Sequence, residues 1–517
     1  MKHFKSQFLW VLLAIFAMSC KDNAKKDLVK IENPVKKERA IESVILENDA
    51  SFYHVDFKTY PQMDKSLPIG VFDSGTGGLT VLDALVNFDG HNNHNNEKGG
   101  DAIPDFISEK FIYLADQANM PYGNYSSENK TDLLVEHILK DMQFLLSDKY
   151  YREASDTQFQ KDKQPVKSIV IACNTATAYG SEFIKEFIDK TGIELKVIGV
   201  IDAGARGTLS TFKKNENGAI GVMATVGTIS SKGYENTLLR VKDELGYTGN
   251  IQIFNQGGHG IAEAVDEEPD FVNKNFKEPR EDYRGPSLND PNFAIDKTLM
   301  DIYNFDFDHG KMLCDTKDVD DCQILQINDS GNYVRYHVVS LLEQIRKAKN
   351  PQPLKAIVLG CTHYPYLTKE IKEVLDELYN YKKDGTYIYR DHMVEKVAIV
   401  DPAVNVAEEL YVYMKEKNLF NPEGNIRDSE FFISVPNSTN ANVKLDDNGR
   451  FPYSYKYGRT EGNIQEYVKM VPFSKNNISE ETLDRFKNSI PQTYKLIEEF
   501  TRSNPKTKYL DESVRIK

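Results

Sequence analysis

Cysteine is scarce in this chain, five among 517 residues, so no dense disulfide framework holds it together; a chain of this length builds cores without one. Basic residues are in deficit, with 64 Lys and Arg against 78 Asp and Glu. The resulting net charge of −14 argues against nucleic acid as a partner. Beyond the first 20 residues no segment approaches the 18 uninterrupted apolar positions of a spanning helix. Metal-ligand clusters are lacking too: His91 and His94 have suggestive spacing, but they sit in an Asn/Gly loop. Aromatic residues are plentiful, and 28 Tyr with 27 Phe exclude a mainly disordered chain.

The amino terminus reads as an export signal. Lys2 and Lys5 precede an apolar stretch from Phe8 to Met18, and Ala17-Met18-Ser19-Cys20 resembles a bacterial lipoprotein box. Residues 1–20 are therefore expected to be a lipoprotein signal with Cys20 as the lipidated residue. The body would then hang from a membrane on the periplasmic or outer-membrane side of a Gram-negative bacterium. Residues 21–66 are rich in Lys and Glu and are expected to form a tether or loose leader. Cys314 and Cys322 bracket an acidic loop and could close a small disulfide in an exported protein.

Two of the remaining cysteines belong to a repeat. Ile169-Val170-Ile171-Ala172-Cys173-Asn174-Thr175 has a near-copy at Ile357-Val358-Leu359-Gly360-Cys361-Thr362-His363. Ile69–Thr76 precedes the first copy and the similar Ile220–Thr228 precedes the second, in the same order. Strand and helix patterns alternate through both halves, which predicts parallel sheets flanked by helices, with ligands beyond the carboxyl ends of the strands. A helix is expected near 129–148 and an amphipathic one near 479–501, while 266–330 reads as a polar insertion. The Gly-rich turn Asp73-Ser74-Gly75-Thr76-Gly77-Gly78 sits between a strand and a helix, where free N–H groups can meet an anion. A buried cysteine is usually a core residue. These two are repeat mates that end strands in polar residues, which favours chemistry. Two thiols facing each other across a cleft can act as base and acid on opposite faces of one carbon. A thiol pKa of roughly 8.5 suits that task. Asp73 could orient the first thiol and His363 the second.

Ile69–Val81, Pro121-Tyr122-Gly123, Ala172–Ala176, Ile220–Ser230 and Leu359–Pro365 together resemble glutamate racemase, of the cofactor-independent aspartate/glutamate racemase superfamily. The resemblance implies an α/β fold of two pseudo-symmetric domains with the active site in the cleft between them. It puts one domain at 67–204 and 396–517, and the other at 205–395 with the insertion. It implies that Cys173 and Cys361 are the catalytic acid/base pair, assisted by Asp73 and His363. Substrate contacts fall on Asp73, Ser74, Tyr122, Gly123, Asn174, Thr175, Thr225, Thr228, Thr362 and His363. No cofactor or metal is implied, the partner is a small amino acid, and a homodimer is possible. The chain departs from the family at Asn255–Gly260, where His259 and the later Asp266 would reshape the pocket. Two other readings compete: a lipid-anchored binding protein that captures an acidic amino acid without turnover, and a single-cysteine hydrolase or isomerase using His363.

Overall fold

The long apolar runs of the sequence become strands buried on both faces, the pattern that helix-covered parallel sheets require. A computed structural model describes residues 39–265, 270–316, 321–447 and 449–517. Cys20, the rest of the signal, the early leader and Asp266 lie outside the described residues. The larger sheet begins with Ile69–Asp73 (β1), Phe111–Ala115 (β2), Ser168–Ile171 (β3) and Lys196–Gly199 (β4). The chain then builds a smaller sheet from Gly218–Ala224 (β5) and Ile251–Gly257 (β6). The insertion contributes a hairpin, Met312–Cys314 (β7) with Leu325–Ile327 (β8). Leu354–Gly360 (β9) rejoins the smaller sheet; a surface ribbon follows, Lys382–Lys383 (β10) with Thr386–Tyr387 (β11), and Met393–Val400 (β12) completes that sheet. Glu430–Pro436 (β13) and Val468–Pro472 (β14) return to the larger one.

The strand orders are β14-β13-β2-β1-β3-β4 and β12-β9-β5-β6. Every neighbour pair is parallel except β13 with β14. The chain is thus a mixed α/β protein with parallel-dominated sheets flanked by helices. No described helix is long and apolar enough to cross a membrane.

Four expectations need correction. Position 396, expected to open the return to the first domain, falls inside β12, whose pairing with β9 keeps the chain in the smaller sheet to Val400. The single helix expected at 479–501 is two, Glu480–Ser489 and Pro491–Ser503. Pro491 forces the break, because the residue before a proline is disfavoured in helical geometry, and Ile490 has φ −135° and ψ 56°. The insertion's polar composition hides a core contribution, since Phe271, Ile295, Tyr303 and Leu325 join the core around the helix Ser330–Lys347; the expected bond between Cys314 and Cys322 is present.

The fourth correction concerns the leader. From residue 39 onward it is ordered, with a helix at Ala40–Glu47 that buries Ile41 and Ile45. Phe52 and Tyr53 follow them into the core. This segment covers the polar side of the helix Thr131–Leu146: Gln143 donates to the Phe52 carbonyl, and Lys149 Nζ donates to the carbonyls of Ser51, Phe52 and His54. The sequence pattern missed it because the apolar positions are few and their partners are distant. The histidine pair of the Asn/Gly loop separates, since His91 is buried and stacked 3.7 Å from Tyr411 while His94 is exposed. Ile45→Ala should lower the free energy of unfolding in urea by about 2–4 kcal/mol. A loose tether would give no change.

Candidate active site

β1, β3, β5 and β9 all run parallel within their sheets, so their carboxyl ends carry Asp73, Cys173, Thr225 and Cys361 into connecting loops. At the end of β1 the chain folds back on its own carboxylate. Asp73 Oδ2 accepts from the N–H groups of Gly75 at 3.2 Å and Gly78 at 2.9 Å. Gly78 cannot be replaced there, because a Cβ would stand 2.5 Å from Asp73 Cβ and 2.9 Å from Ala172 Cβ. Tyr113 braces the turn by donating to the Gly75 carbonyl at 2.8 Å.

Cys173 follows β3 and caps the helix Asn174–Thr191, with its Sγ accepting from Ala176 N–H at 3.4 Å and lying 3.6 Å from Ser74 Oγ. Burial, and then the neighbouring Asp73 charge, push the Cys173 thiol up to about 12. The helix dipole favours a thiolate by only ~0.3–1 kcal/mol, so burial wins and Cys173 stands as a thiol. Burial also raises Asp73, against the pull of the Gly78 and Gly75 N–H groups. Cys361 follows β9 with Sγ 3.7 Å from His363 Nδ1. The two cysteines therefore have different polar partners.

The two cysteine loops meet through specific contacts. Tyr234 lies between them: its hydroxyl donates to Asn174 Oδ1 at 3.0 Å, and its ring edge packs where a Cβ on Gly360 would stand, at 2.7 Å. Thr362 Oγ1 lies 3.5 Å from the place a Cβ on Gly77 would take. Thr225 and Thr228 bond to one another at 3.0 Å at the start of the helix Val226–Ser230. That short helix packs against the helix Gly123–Ser127 from the other sheet's loops. Thr175 sits half-buried in the first turn after Cys173. A cavity of about 180 Å³ touches Cys361, Thr362, Asn174 and Asp401. Cys173 and Asp73 do not line it.

Tyr122 departs from the expected contact with substrate. Its side chain is buried and its hydroxyl is committed to Asp116 and Asp141. His259 donates from Nε2 to the Arg284 carbonyl at 2.6 Å and stacks its ring on Phe293. Sequence reasoning missed Tyr234 and Asp401. Asp401 repeats the pattern of Asp73, an acid ending an apolar run, and burial raises it. Tyr234 gave no signal, because its role depends on two glycine-spaced loops that meet only in the fold.

No protein-family model matches the chain. Among curated proteins, glutamate racemase of Thermoanaerobacter pseudethanolicus is 28% identical over 371 residues, 71% of this chain and 88% of that protein. Glutamate racemase of Oceanobacillus iheyensis is 35% identical over 187 residues, 36% of this chain and 51% of that one. These relatives support a likeness to the aspartate/glutamate racemase superfamily. The solved structure of a glutamate racemase isoform from Bacillus anthracis matches 71% of this chain and 89% of its own, at 22% identity and a TM-score of 0.40.

The electrostatics of the cleft give a direct check. Asp73→Asn removes the like charge beside the Cys173 thiol and should speed its alkylation by iodoacetamide at about pH 8 roughly tenfold, read by mass spectrometry. An unchanged rate would mean that Asp73 does not act on this thiol.

Proposed function

We propose that this chain racemises glutamate or a closely related acidic amino acid without pyridoxal phosphate or metal, one cysteine working on each face of the α-carbon. The observation that carries the reading is the pairing of Cys173 and Cys361. Each ends a buried strand beside its own polar partner, and Tyr234 joins the loops that hold them. In the forward step a thiolate takes the α-proton, breaking Cα–H and becoming a thiol. The opposed thiol then gives its proton to the other face, forming the new Cα–H and becoming a thiolate. The enzyme ends with the two protonation states exchanged, and the reverse turnover restores them.

The substrate's ammonium would bring a positive charge to the buried Asp73, offsetting the carboxylate charge that helps raise Cys173. Ser74, Thr225, Thr362 and the free N–H groups at the start of the Asn174 helix supply donors for the two carboxylates. The relatives' names support glutamate as the first substrate to test.

The full chain should convert either enantiomer of glutamate, or of aspartate, to a racemic mixture, followed by circular dichroism. Cys173→Ser and Cys361→Ser should each slow this by ~10²–10⁴-fold. Dialysis against a chelator should leave the rate unchanged. Tight binding of the amino acid with no inversion would overturn the reading and favour a binding protein.

A further inference from the structure

Beneath the Pro121–Gly123 loop lies a buried polar cluster that the proposed chemistry does not use. Tyr122, Asp116 and Asp141 are each about 1% exposed. The Tyr122 hydroxyl oxygen lies 2.6 Å from Asp116 Oδ2 and 2.6 Å from Asp141 Oδ2. One hydroxyl has one proton and can donate to one carboxylate only. Two contacts this short therefore need a second proton, and one of the carboxyl groups must carry it.

The surroundings decide which. Burial raises Asp116 as well, but it has the partners of an ionised group: Asn119 Nδ2 donates to both its oxygens at 2.9 Å, and the charge of Arg459 favours its carboxylate. Asp141 has none of these. Its Oδ1 makes no hydrogen bond, which is costly for a buried carboxylate and far cheaper for a neutral acid. Nearby cations are engaged elsewhere, since Lys140 pairs with Glu136 at 2.8 Å and Arg459 donates to Asn119 at 2.8 Å and to Tyr125 at 3.2 Å. His137 stays neutral through burial.

We propose that Asp141 is a neutral carboxylic acid whose proton completes a chain, Asp141 to Tyr122 to Asp116, and that this chain fixes the backbone of the Pro121–Gly123 loop over the cleft. Asp141 is then a positioning residue. Burial and the Asp116 charge both raise its affinity for the proton, with the Asp73 charge adding to them. Asp116 N–H donates to the Asp73 carbonyl at 2.9 Å, so the chain is anchored to the strand that ends at the candidate site. The effect on turnover rests on the racemase reading; the location of the proton does not.

Asparagine at 141 keeps a donor for Tyr122 and cannot ionise. Infrared difference spectra should therefore show a protonated-carboxyl C=O band in the wild type and lose it in Asp141→Asn. Asp141→Asn should keep kcat/KM within about threefold of wild type, whereas Asp116→Asn and Tyr122→Phe should lower it at least tenfold. Stability gives a third readout. The folded wild type holds a proton that the unfolded chain releases above the ordinary Asp range of about 4, so its stability falls as pH rises. The advantage in Tm of Asp141→Asn over wild type should therefore grow between about pH 5 and pH 8. No acid band in the wild type, or a tolerated Asp116→Asn with a costly Asp141→Asn, would overturn the assignment. A band that behaves as expected in a protein without racemase activity would leave the proton in place and refute the functional reading alone.

Discussion

The burial of the Asp73 carboxylate at the end of β1 is the constraint on which the cleft depends. A charged group there is expensive unless donors reach it, and the donors are the N–H groups of its own turn, at Gly75 and Gly78. Meeting that need fixes the turn. The fixed turn in turn sets Ser74 beside Cys173 and Gly77 beside Thr362. One local electrostatic demand thereby aligns loops from both sheets.

The same currency explains the asymmetry between the halves. Cys173 shares its burial with a carboxylate and is held as a thiol, whereas Cys361 faces an imidazole nitrogen. On the proposed reading, in which one thiol takes a proton and the other gives one, unequal resting environments help because one member starts as the acid. The substrate's own charges then become part of the site's balance. Deeper in the larger sheet, the helix Thr131–Leu146 carries polar residues on a face that the segment 39–56 covers, and a second set of buried acids results. Covering that face turns a solvated helix into the floor of the Tyr122 loop.

Much of this was legible in the sequence because the signals were local. The strand ending in Cys173 and its repeat ending in Cys361 are continuous apolar runs, and a continuous run closed by polar residues marks a buried parallel strand and its ligand end. The Gly-rich turn after β1 was readable for the same reason. What was hidden depends on distant contacts. Ile41, Ile45, Phe52 and Tyr53 lie in a stretch dominated by charge, and their burial arises only from a helix nearly a hundred residues away. Tyr122 looked like a substrate contact because its loop is in the right place, yet its side chain turns inward to two acids whose positions no local pattern gives. Tyr234 bridges two loops that are remote in sequence. The break at Ile490 was written in Pro491, but a strong amphipathic pattern across it masked the stop.

The opposed-thiol claim meets its most direct test in heavy water. The Cys173→Ser and Cys361→Ser variants are incubated separately with each enantiomer of the substrate, and loss of the α-proton signal is followed by NMR. The account predicts that each variant exchanges the α-proton of one enantiomer only, and that the two variants choose opposite enantiomers. Exchange of both enantiomers by either variant would show that one thiol reaches both faces, or that another base serves, and would contradict it.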